Sequence, residues 1–497
     1  MNSTTNHAGR PAESLTSQVR RAVIWRSGSQ ILAQSVQWVA TFLVIRILNP
    51  QDYGLYAMTG VVLVFLNMLN GYGLASGLIR DETVTPLHIR QLFGMLIVVN
   101  GGLALAQLLL APLAAAYYRQ PEVAQLLRVQ ALLYATTPFS ALSYALLSRR
   151  MDFRRQAAAN IAGAMAGAAT ALTGALAGLG VWTLVFAPLA LYLVRATMLT
   201  WGARALMWPS FDFRGTRHLV GFGGAMATGQ FFWFLQSQAD VFIAGRWFDP
   251  HRLGIYTTAL FLAQVFVSKI VPPLNEVAFS AYARIQHDQQ AIGAAFVRAV
   301  RIIMVAAMPF YLGLAATAEP LVLTMLGTKW ADAVPVVWLL ALAMPFMTLQ
   351  VLYSPACDAQ GRPGIAARNG AGGAAILATA FLVGVRWGPE GLAWSWLAAY
   401  PLYLAISSWR SLPVIGASPR ALAAAIAPAV GAALVMGVIV HLADLALVAA
   451  VPAIPPPLRL AVLVAIGAVV YGGWMLLLAR ATMRELIKVI RKQPLPG

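Results

Sequence analysis

A few charged side chains interrupt the long apolar stretches of this sequence, and they are the residues best placed to do chemistry. Arg195 lies fourteen residues into the apolar stretch 181–203, and Lys269 lies at a similar depth in the stretch 253–283. Asp240 and Glu276 are acidic residues that also lie within apolar stretches, 218–245 and 253–283. Because an ionised group inside a membrane is costly, it is expected to be paired or to line a polar path. These four residues form the first candidate functional set.

The four charges permit two interpretations. Their formal charges cancel, so Arg195 and Lys269 can neutralise Asp240 and Glu276 as buried structural pairs. Alternatively, Lys269, Arg195 and Arg26 form a cationic cavity that binds an anionic head group, while the two acids respond to protons or sodium ions. Glu276 follows Lys269 by seven residues on roughly the same helix face, beyond a kink expected from the two prolines at 272 and 273.

Polar residues also repeat along the first apolar stretch. Arg26, Gln30, Gln34 and Gln37 follow a spacing of 4, 4 and 3 residues, which places them on one face of a helix. That face must contact protein or water rather than lipid. It is either a hydrogen-bonded seam between helices or the lining of a cavity, and the arginine favours the cavity.

Arg46 and Arg246 occupy matching positions near the ends of two apolar stretches. The simpler interpretation is that both are anchors at the membrane interface, and the alternative is that both contact an anionic substrate. Pairs such as Arg149-Arg150 and Arg154-Arg155 are most simply signals of membrane orientation.

The composition identifies the class of chain in which these residues act. Of 497 residues, 60% are hydrophobic and only 10% are charged, whereas soluble domains contain about 25% charged residues. The mean hydropathy is +0.71. A soluble enzyme is therefore excluded. The net charge of +18 is spread over short segments between apolar stretches, so it is attributed to a lipid bilayer and not to nucleic acid.

Apolar stretches long enough to cross a bilayer, about 20 residues each, number fourteen. The sequence predicts an all-α, polytopic membrane protein with spans at 22–47, 54–79, 91–117, 123–148, 156–179, 181–203, 218–245, 253–283, 292–317, 331–356, 364–385, 390–409, 421–447 and 458–479. An even number of spans places both termini on one side. The polar first twenty residues lack the features of a cleaved signal peptide, so the N-terminus is expected to stay in the cytoplasm.

Positive charges retained in the cytoplasm test this orientation. With the N-terminus inside, 25 of the 35 lysines and arginines fall in cytoplasmic segments and eight on the opposite side, while Arg195 and Lys269 lie within spans. The imbalance supports both the number of spans and their direction.

An internal repeat divides the chain. The segment FLVIRILNPQDYGLYAM from Phe42 aligns with FIAGRWFDPHRLGIYTT from Phe242 at an offset of 200 residues. The coinciding pairs are Phe42/Phe242, Arg46/Arg246, Pro50/Pro250, Gly54/Gly254, Tyr56/Tyr256 and, upstream, Gln30/Gln230. Each copy follows the first of six spans, so two parallel six-helix lobes are expected, an arrangement found in alternating-access transporters.

The expected domains follow from this repeat. A cytoplasmic tail covers residues 1–21, the N-terminal lobe 22–204, a linker 205–217, the C-terminal lobe 218–412, two additional helices 413–480, and a basic tail 481–497.

Several kinds of chemistry have no support in the sequence. The single cysteine, Cys357, excludes an intramolecular disulfide and a cysteine-based metal cluster, and the six histidines show no zinc-ligand spacing. A GxxxxGK[ST] phosphate loop is also missing. We therefore expect a transporter that is not an enzyme, with no metal and no cofactor apart from coupling to H⁺ or Na⁺.

Five segments carry a family resemblance. They are RILNPQDYGLYAM, GYGLASGLIR at 71–80, SRRMDFRRQAAANIAG at 148–163, QADVFIAGRWFDPHRLGIYTTA at 238–259 and GTKWADAVPVVWLLALAMPF at 327–346. Together they resemble the Wzx-type polysaccharide flippases, and more narrowly the WzxC-like branch of the multidrug/oligosaccharidyl-lipid/polysaccharide (MOP) exporter superfamily. The resemblance runs from about residue 25 to residue 369, and the last four spans agree only in hydropathy.

The resemblance implies two six-helix lobes around a cationic central cavity, with two terminal helices. It implies movement of an undecaprenyl-diphosphate-linked oligosaccharide from the cytoplasmic to the periplasmic leaflet of a bacterial inner membrane. A polysaccharide polymerase or co-polymerase is a further candidate partner. The alternatives are a flippase for a peptidoglycan precursor such as lipid II and a drug/cation antiporter of the same superfamily, although the basic residues disfavour the antiporter.

Overall fold

The computed structural model describes residues 15–69, 85–213 and 223–477, and all the long elements in these ranges are helices. We number the α-helices in chain order. In the first part of the chain they are α1 (Leu15–Ile47), α2 (Pro50–Leu69), α3 (Pro86–Tyr118), α4 (Pro121–Gln130), α5 (Leu133–Arg149), α6 (Phe153–Leu176) and α7 (Val181–Ala203).

The second part contains α8 (Gly223–Trp247), α9 (Pro250–Lys269), α10 (Val271–Arg284), α11 (Gln289–Ala316), α12 (Ala318–Met325), α13 (Val334–Gln350), α14 (Tyr353–Ala359), α15 (Pro363–Gly384), α16 (Gly388–Ile415), α17 (Pro419–Ala450) and α18 (Pro456–Leu477). Short 3₁₀ helices cover Thr328–Ala333 and Val385–Trp387. In the described ranges, ten stretches are long and apolar enough to cross a membrane.

Local sequence explains where these helices begin. Proline stands at the first position of many of them, where its missing N–H is not needed and its fixed φ suits a helix. Asp249 caps α9 because its side chain accepts a hydrogen bond from the backbone N–H of Arg252 at 3.0 Å, and Ser418 caps α17 in the same way.

Three predicted spans are divided in the structure. The span 123–148 is interrupted between α4 and α5, and the span 331–356 begins as a 3₁₀ helix and breaks between α13 and α14. The span 253–283 ends its first helix at Lys269 and restarts at Val271, because Pro272 and Pro273 cannot donate the hydrogen bonds that would continue it. The break matches the kink expected at these prolines, and Pro250–Arg284 and Thr328–Ala359 are each, taken as a whole, long and apolar enough to cross a membrane.

The chain forms two compact units, the first comprising Met1–Val44, Leu69–Leu113 and Ala124–Gly223. Its core contains Leu92, Leu142 and Leu199, all nearly inaccessible to solvent. Glycines let α6 and α7 approach closely: a Cβ on Gly167 would lie 2.9 Å from the Cβ of Leu191. At one end, the non-helical segment after α7 is held by the side chain of Arg90, whose Nε donates to the carbonyl of Trp208 at 2.9 Å.

The second unit comprises Ile45–Met68, Ala114–Val123 and Gly224–Gly497. It therefore includes short segments from the first half of the chain as well as the whole second half. Its largest fully buried side chains include Trp330, Tyr256 and Tyr311. The last two helices, α17 and α18, pack through Met436 and Leu463. The lobe boundaries predicted from the repeat stay predictions.

Candidate transport site

Asp240 lies on α8 inside the second unit, and its side chain is completely buried. The hydroxyl of Tyr256 on α9 donates to Oδ2 at 2.7 Å, and the backbone N–H of Val241 donates to Oδ1 at 2.8 Å. The Tyr256 oxygen in turn accepts a hydrogen bond from Nε1 of Trp396 on α16, also at 2.7 Å. These hydrogen bonds link the Asp240 side chain on α8 to α9 and, through Tyr256, to α16.

Aromatic and amide groups extend this network. The ring of Trp396 stacks on that of Tyr400 with centroids 5.1 Å apart. One turn further along α16, the hydroxyl of Tyr403 accepts a hydrogen bond from the amide of Gln350 at 2.8 Å and one from Gln236 at 3.4 Å. Gln236 precedes Asp240 by four residues, so both lie on one face of α8.

The electrostatic surroundings of Asp240 are unusual for a buried acid. In the described part of the chain, neither an arginine nor a lysine forms an ion pair with it. Among the described residues, its side chain accepts hydrogen bonds from Tyr256 and Val241, although buried charges are generally paired with an opposite charge. Binding of a proton would neutralise the carboxylate in place.

Lys269 and Glu276 do not share this enclosed environment. Both side chains are exposed in the structure, Lys269 at the end of α9 and Glu276 in α10. The predicted position of Lys269 near the bilayer midplane, with Glu276 on the same face, stays a prediction, and the two residues lie on consecutive helices that meet at Ile270. Across the described ranges, no ion pair links them.

Arg195 lies on α7 in the first unit and is partly buried. It faces Gly163 of α6, where a Cβ would lie 3.1 Å from the Cβ of Arg195. The Nε of Arg195 is buried and has no acceptor among the described residues. An anion that reached this N–H would form a charge-assisted hydrogen bond with it.

The glutamines of α1 have mixed surroundings. Gln34 and Gln37 are partly buried and Gln30 is exposed. The side chains of Arg26 and of Gln230, the repeat partner of Gln30, lie outside the described residues.

The two repeat-related arginines both bind helix ends. Nη1 of Arg46 donates to the carbonyl of Thr324, and Nη1 of Arg246 donates to the carbonyl of Tyr117 at 2.8 Å. The guanidinium of Arg246 also lies over the Tyr117 ring, 5.7 Å from its centroid.

Sequence reasoning missed several members of these clusters. Gln236 was detectable, because it is one helical turn from Asp240. The spacing of Trp396, Tyr400 and Tyr403 by four and three residues also gave a signal for one polar aromatic face. By contrast, Gln350 meets Tyr403 through tertiary packing alone.

The fold and these sites define an all-helical, multi-pass membrane protein with polar groups enclosed among its long apolar helices. A family model described as "Polysaccharide biosynthesis protein" matches residues 43–335. The chain therefore belongs to the polysaccharide biosynthesis protein family, and its resemblance to the Wzx-type polysaccharide flippases of the MOP superfamily is confirmed.

Three curated relatives extend this finding. The succinoglycan biosynthesis transport protein ExoT of Rhizobium meliloti is 28% identical over 66% of this chain and 67% of its own length. The teichuronic acid biosynthesis protein TuaB of Bacillus subtilis is 23% identical over 69% and 71% of the two chains. The lipopolysaccharide biosynthesis protein WzxC of Escherichia coli is 21% identical over 64% and 65%.

Solved structures agree with the predicted fold. The lipid II flippase MurJ in an inward closed conformation superposes with a TM-score of 0.69 and 13% identity, covering 93% of this chain and 100% of that one. A multidrug resistance MATE family transporter of the MOP superfamily, in an inward-facing conformation, gives a TM-score of 0.60 and 13% identity over 80% and 99%. The all-helical MOP-type fold is confirmed, as is the prediction of a transporter rather than an enzyme.

Proposed function

We propose that this chain is a flippase that moves an undecaprenyl-diphosphate-linked oligosaccharide repeat unit from the cytoplasmic to the periplasmic leaflet. The product would supply exopolysaccharide, O-antigen or capsule biosynthesis. The observation that carries the proposal is the family match over residues 43–335. The printed names of the relatives, which refer to succinoglycan, teichuronic acid and lipopolysaccharide, support a polysaccharide precursor as the cargo.

The proposed mechanism is alternating access with a cationic cavity. The diphosphate carries the negative charge of the substrate, and Arg195, Lys269 and Arg26 would offset it on the cytoplasmic side. The buried Nε of Arg195 supports this role, because it can donate to a phosphate oxygen without breaking a hydrogen bond among the described residues. Rocking of the lobes would then release the head group outside while the lipid tail stays in the bilayer.

Resetting of the transporter would use an ion gradient. Asp240 is the proposed coupling group, because a carboxylate enclosed without a cationic partner changes its net charge when it binds H⁺ or Na⁺. Glu276 is a second candidate, and its exposure would let it reach water or a counter-ion during the cycle. The glutamines of α1 would contact the polar head group or its water.

The cellular setting is part of the same proposal. The chain would reside in the bacterial inner membrane with both termini in the cytoplasm, as the 25-to-8 distribution of basic residues supports. A polysaccharide polymerase or co-polymerase acting on the released repeat unit would be its partner in the pathway.

The test is export by cells in which Arg195 is replaced by alanine. We expect polysaccharide export to fall by about tenfold or more, as follows from losing one charge-assisted hydrogen bond of about 1.5–3 kcal/mol. Lipid-linked oligosaccharide should accumulate at the same time. Arg128→Ala, which removes an exposed arginine from the same unit, is the matched control and should export normally. Normal export by Arg195→Ala at equal protein abundance would show that the diphosphate binds elsewhere.

Complementation separates the competing substrates. The proposal requires that the gene restore polysaccharide export to a strain lacking its own polysaccharide flippase. Rescue of a strain lacking its lipid II flippase, without rescue of polysaccharide export, would instead identify a peptidoglycan precursor as the cargo.

A further inference from the structure

The chain that follows α7 is fixed against the first unit. We call residues 204–213 the strap, and they form neither helix nor strand. Arg204 begins the strap with a left-handed backbone, at a φ of 50°, which ends α7. Nε of Arg90 on α3 donates to the carbonyl of Trp208, and the backbone N–H of Ser210 donates to the carbonyl of Arg90, both at 2.9 Å. One residue of α3 therefore holds the middle of the strap.

Two more residues of α3 hold the end of the strap. The side-chain amide of Gln91 donates to the carbonyl of Asp212 at 2.8 Å. A Cβ at Gly94 would collide with the carbonyl oxygen of Ser210, so the close approach of the two backbones requires glycine at this position. The strap and these contacts all lie within the first compact unit.

Two arginines hold the chain where α7 ends and the strap begins. Nη1 of Arg150 donates to the carbonyl of Ala203 at 3.0 Å, and Nη1 of Arg155 donates to the carbonyl of Gly202 at 2.8 Å. Both carbonyls are in the last turn of α7, where the helix dipole favours a positive charge. These contacts place a basic part of the chain beside the start of the strap.

The side chains of the strap alternate between two sides. Ala205 is buried in the core of the first unit, and Met207 packs against the same core. Leu206 and Trp208 lie between and beyond them and are 85% and 84% exposed. Trp201, in the last turn of α7, is exposed as well. Large apolar side chains on an outward face indicate a surface that contacts lipid or another protein.

Arginines predominate around this apolar face. The described segments 85–90, 149–155 and 201–213 contain six arginines, all exposed, and two acids, Asp152 and Asp212. The Asp152 carboxylate lies 3.4 Å from an arginine of the same set, so its charge is already compensated. The surface therefore carries a positive charge that suits an anionic partner.

Two of these arginines point to the chemistry of that partner. The guanidinium groups of Arg154 and Arg204 are exposed, and neither has an acceptor in the part of the chain that the structure describes. A guanidinium forms its strongest hydrogen bonds with carboxylates and phosphates. Tryptophan beside arginine at the ends of membrane-spanning helices is typical of the headgroup level of a bilayer, where indole rings lie at the interface and cationic side chains attract anionic lipids.

We propose that the strap and the arginines around it form a binding surface for anionic phospholipids. Leu206 and Trp208 insert into the membrane interface, and Arg154 and Arg204 bind the lipid phosphate groups. A protein could also cover an apolar face, but the excess of arginine and the position at helix ends favour lipid. The inference goes beyond the proposed function, because it concerns the surrounding membrane and not the cargo.

Lipid-borne quenchers test this surface in the purified full-length protein. An environment-sensitive fluorophore is attached at Leu206→Cys in a Cys357→Ala background, which removes the native cysteine. The protein is placed in phosphatidylcholine nanodiscs containing a small fraction of headgroup spin-labelled lipid. Spin-labelled phosphatidylglycerol should quench the fluorophore at least fivefold more strongly than spin-labelled phosphatidylcholine at the same mole fraction.

Charge variants identify the arginines responsible. Arg154→Gln/Arg204→Gln should lower the preference for phosphatidylglycerol by about fivefold for each arginine removed. Arg128→Gln is the matched control, because it removes an exposed arginine of the same unit from a segment predicted to lie on the opposite side of the membrane. It should leave the preference unchanged. Equal thermal unfolding midpoints of the variants establish that each is folded.

Three results would overturn the proposal. The first is equal quenching by the two lipids in protein that retains both arginines. The second is quenching by aqueous iodide and by neither lipid, which would assign the surface to a protein partner. The third is displacement of the spin-labelled lipid by undecaprenyl diphosphate but not by unlabelled phosphatidylglycerol, which would assign the surface to the cargo. Complementation tests the proposed function separately, so the two inferences can fail independently.

Discussion

Asp240 and Arg195 represent two opposite ways of burying a polar group. The carboxylate of Asp240 is held by the Tyr256 hydroxyl and a backbone N–H, and Trp396 fixes that hydroxyl. The Nε of Arg195 is buried without an acceptor among the described residues. The Asp240 carboxyl group has hydrogen-bond partners but, among the described residues, no paired cation, whereas the Nε of Arg195 lacks an acceptor that an anion could supply. These differences support a coupling role for Asp240 and a substrate role for Arg195.

Replacing Asp240 by asparagine tests the coupling role. The variant preserves the shape of the side chain but removes the charge that H⁺ or Na⁺ would neutralise. We expect export to fall by about tenfold and to lose its dependence on the ion gradient, because one charge-assisted interaction of about 1.5–3 kcal/mol is lost. The measurement is export rate with and without an ionophore that dissipates the gradient.

Tyr256→Phe provides the control for this experiment. It removes the hydroxyl that donates to Asp240 but keeps the carboxylate, so export should slow while still responding to the ionophore. If Asp240→Asn exports at the normal rate with the normal ionophore response, then Asp240 is a structural residue.

At the scale of helices, an ion-pair cluster joins the last two helices to the rest of the second unit. Nε of Arg459 on α18 donates to Asp444 of α17 at 2.6 Å, and Nη2 donates to Asp444 at 2.7 Å and to Glu319 of α12 at 2.8 Å. The side chains of Arg459 and Asp444 are only 12% and 11% exposed. One guanidinium thus binds three helices together.

Removing Arg459 should destabilise this arrangement. Arg459→Leu leaves Asp444 largely buried without its cation, and breaking a buried pair in this way costs about 3–5 kcal/mol. We expect a lower midpoint of thermal unfolding for the purified protein in detergent.

The double variant Arg459→Leu/Asp444→Leu distinguishes pairing from packing. It removes both buried charges, so it should recover much of the stability that the single variant loses. A double variant as unstable as the single one would show that Arg459 stabilises the helices through packing alone.

At the scale of the whole molecule, the charge distribution predicts one orientation in the membrane. The segments that contain Arg46, Arg246 and Lys329 carry few basic residues overall, whereas the segments on the opposite side carry 25. If the positively charged side faces the cytoplasm, then Arg46, Arg246 and Lys329 face the periplasm.

Reporter fusions at the two termini check this orientation. Fusions that fluoresce only in the cytoplasm should be active at both the N-terminus and the C-terminus, because the predicted number of spans is even. A phosphatase that works only in the periplasm should be inactive at both. Opposite results at the two ends would show that the number of spans is odd.

The sequence predicted periodic features well and tertiary features poorly. Spans, the proline kink and the 200-residue repeat all depend on spacing along the chain, which the primary structure contains directly. The ion pair between Arg459 and Glu319, which are 140 residues apart, depends on how helices pack. The exposure of the Lys269 and Glu276 side chains also depends on how helices pack, which a hydropathy pattern does not report. The sequence therefore identified the candidate charged residues but not the residues that they contact.

Gly54 of α2 and Gly254 of α9, which align in the internal repeat, pack against each other's helix start, and this contact constrains how the two copies of the repeat can diverge. After a duplication, the two copies are usually free to accumulate different substitutions. Here the space available at Gly54 is set by the backbone at Pro250, and the space at Gly254 is set by the backbone at Pro50. A larger residue in one copy therefore requires a compensating shift of the backbone in the other, so the two positions are sterically coupled although 200 residues separate them.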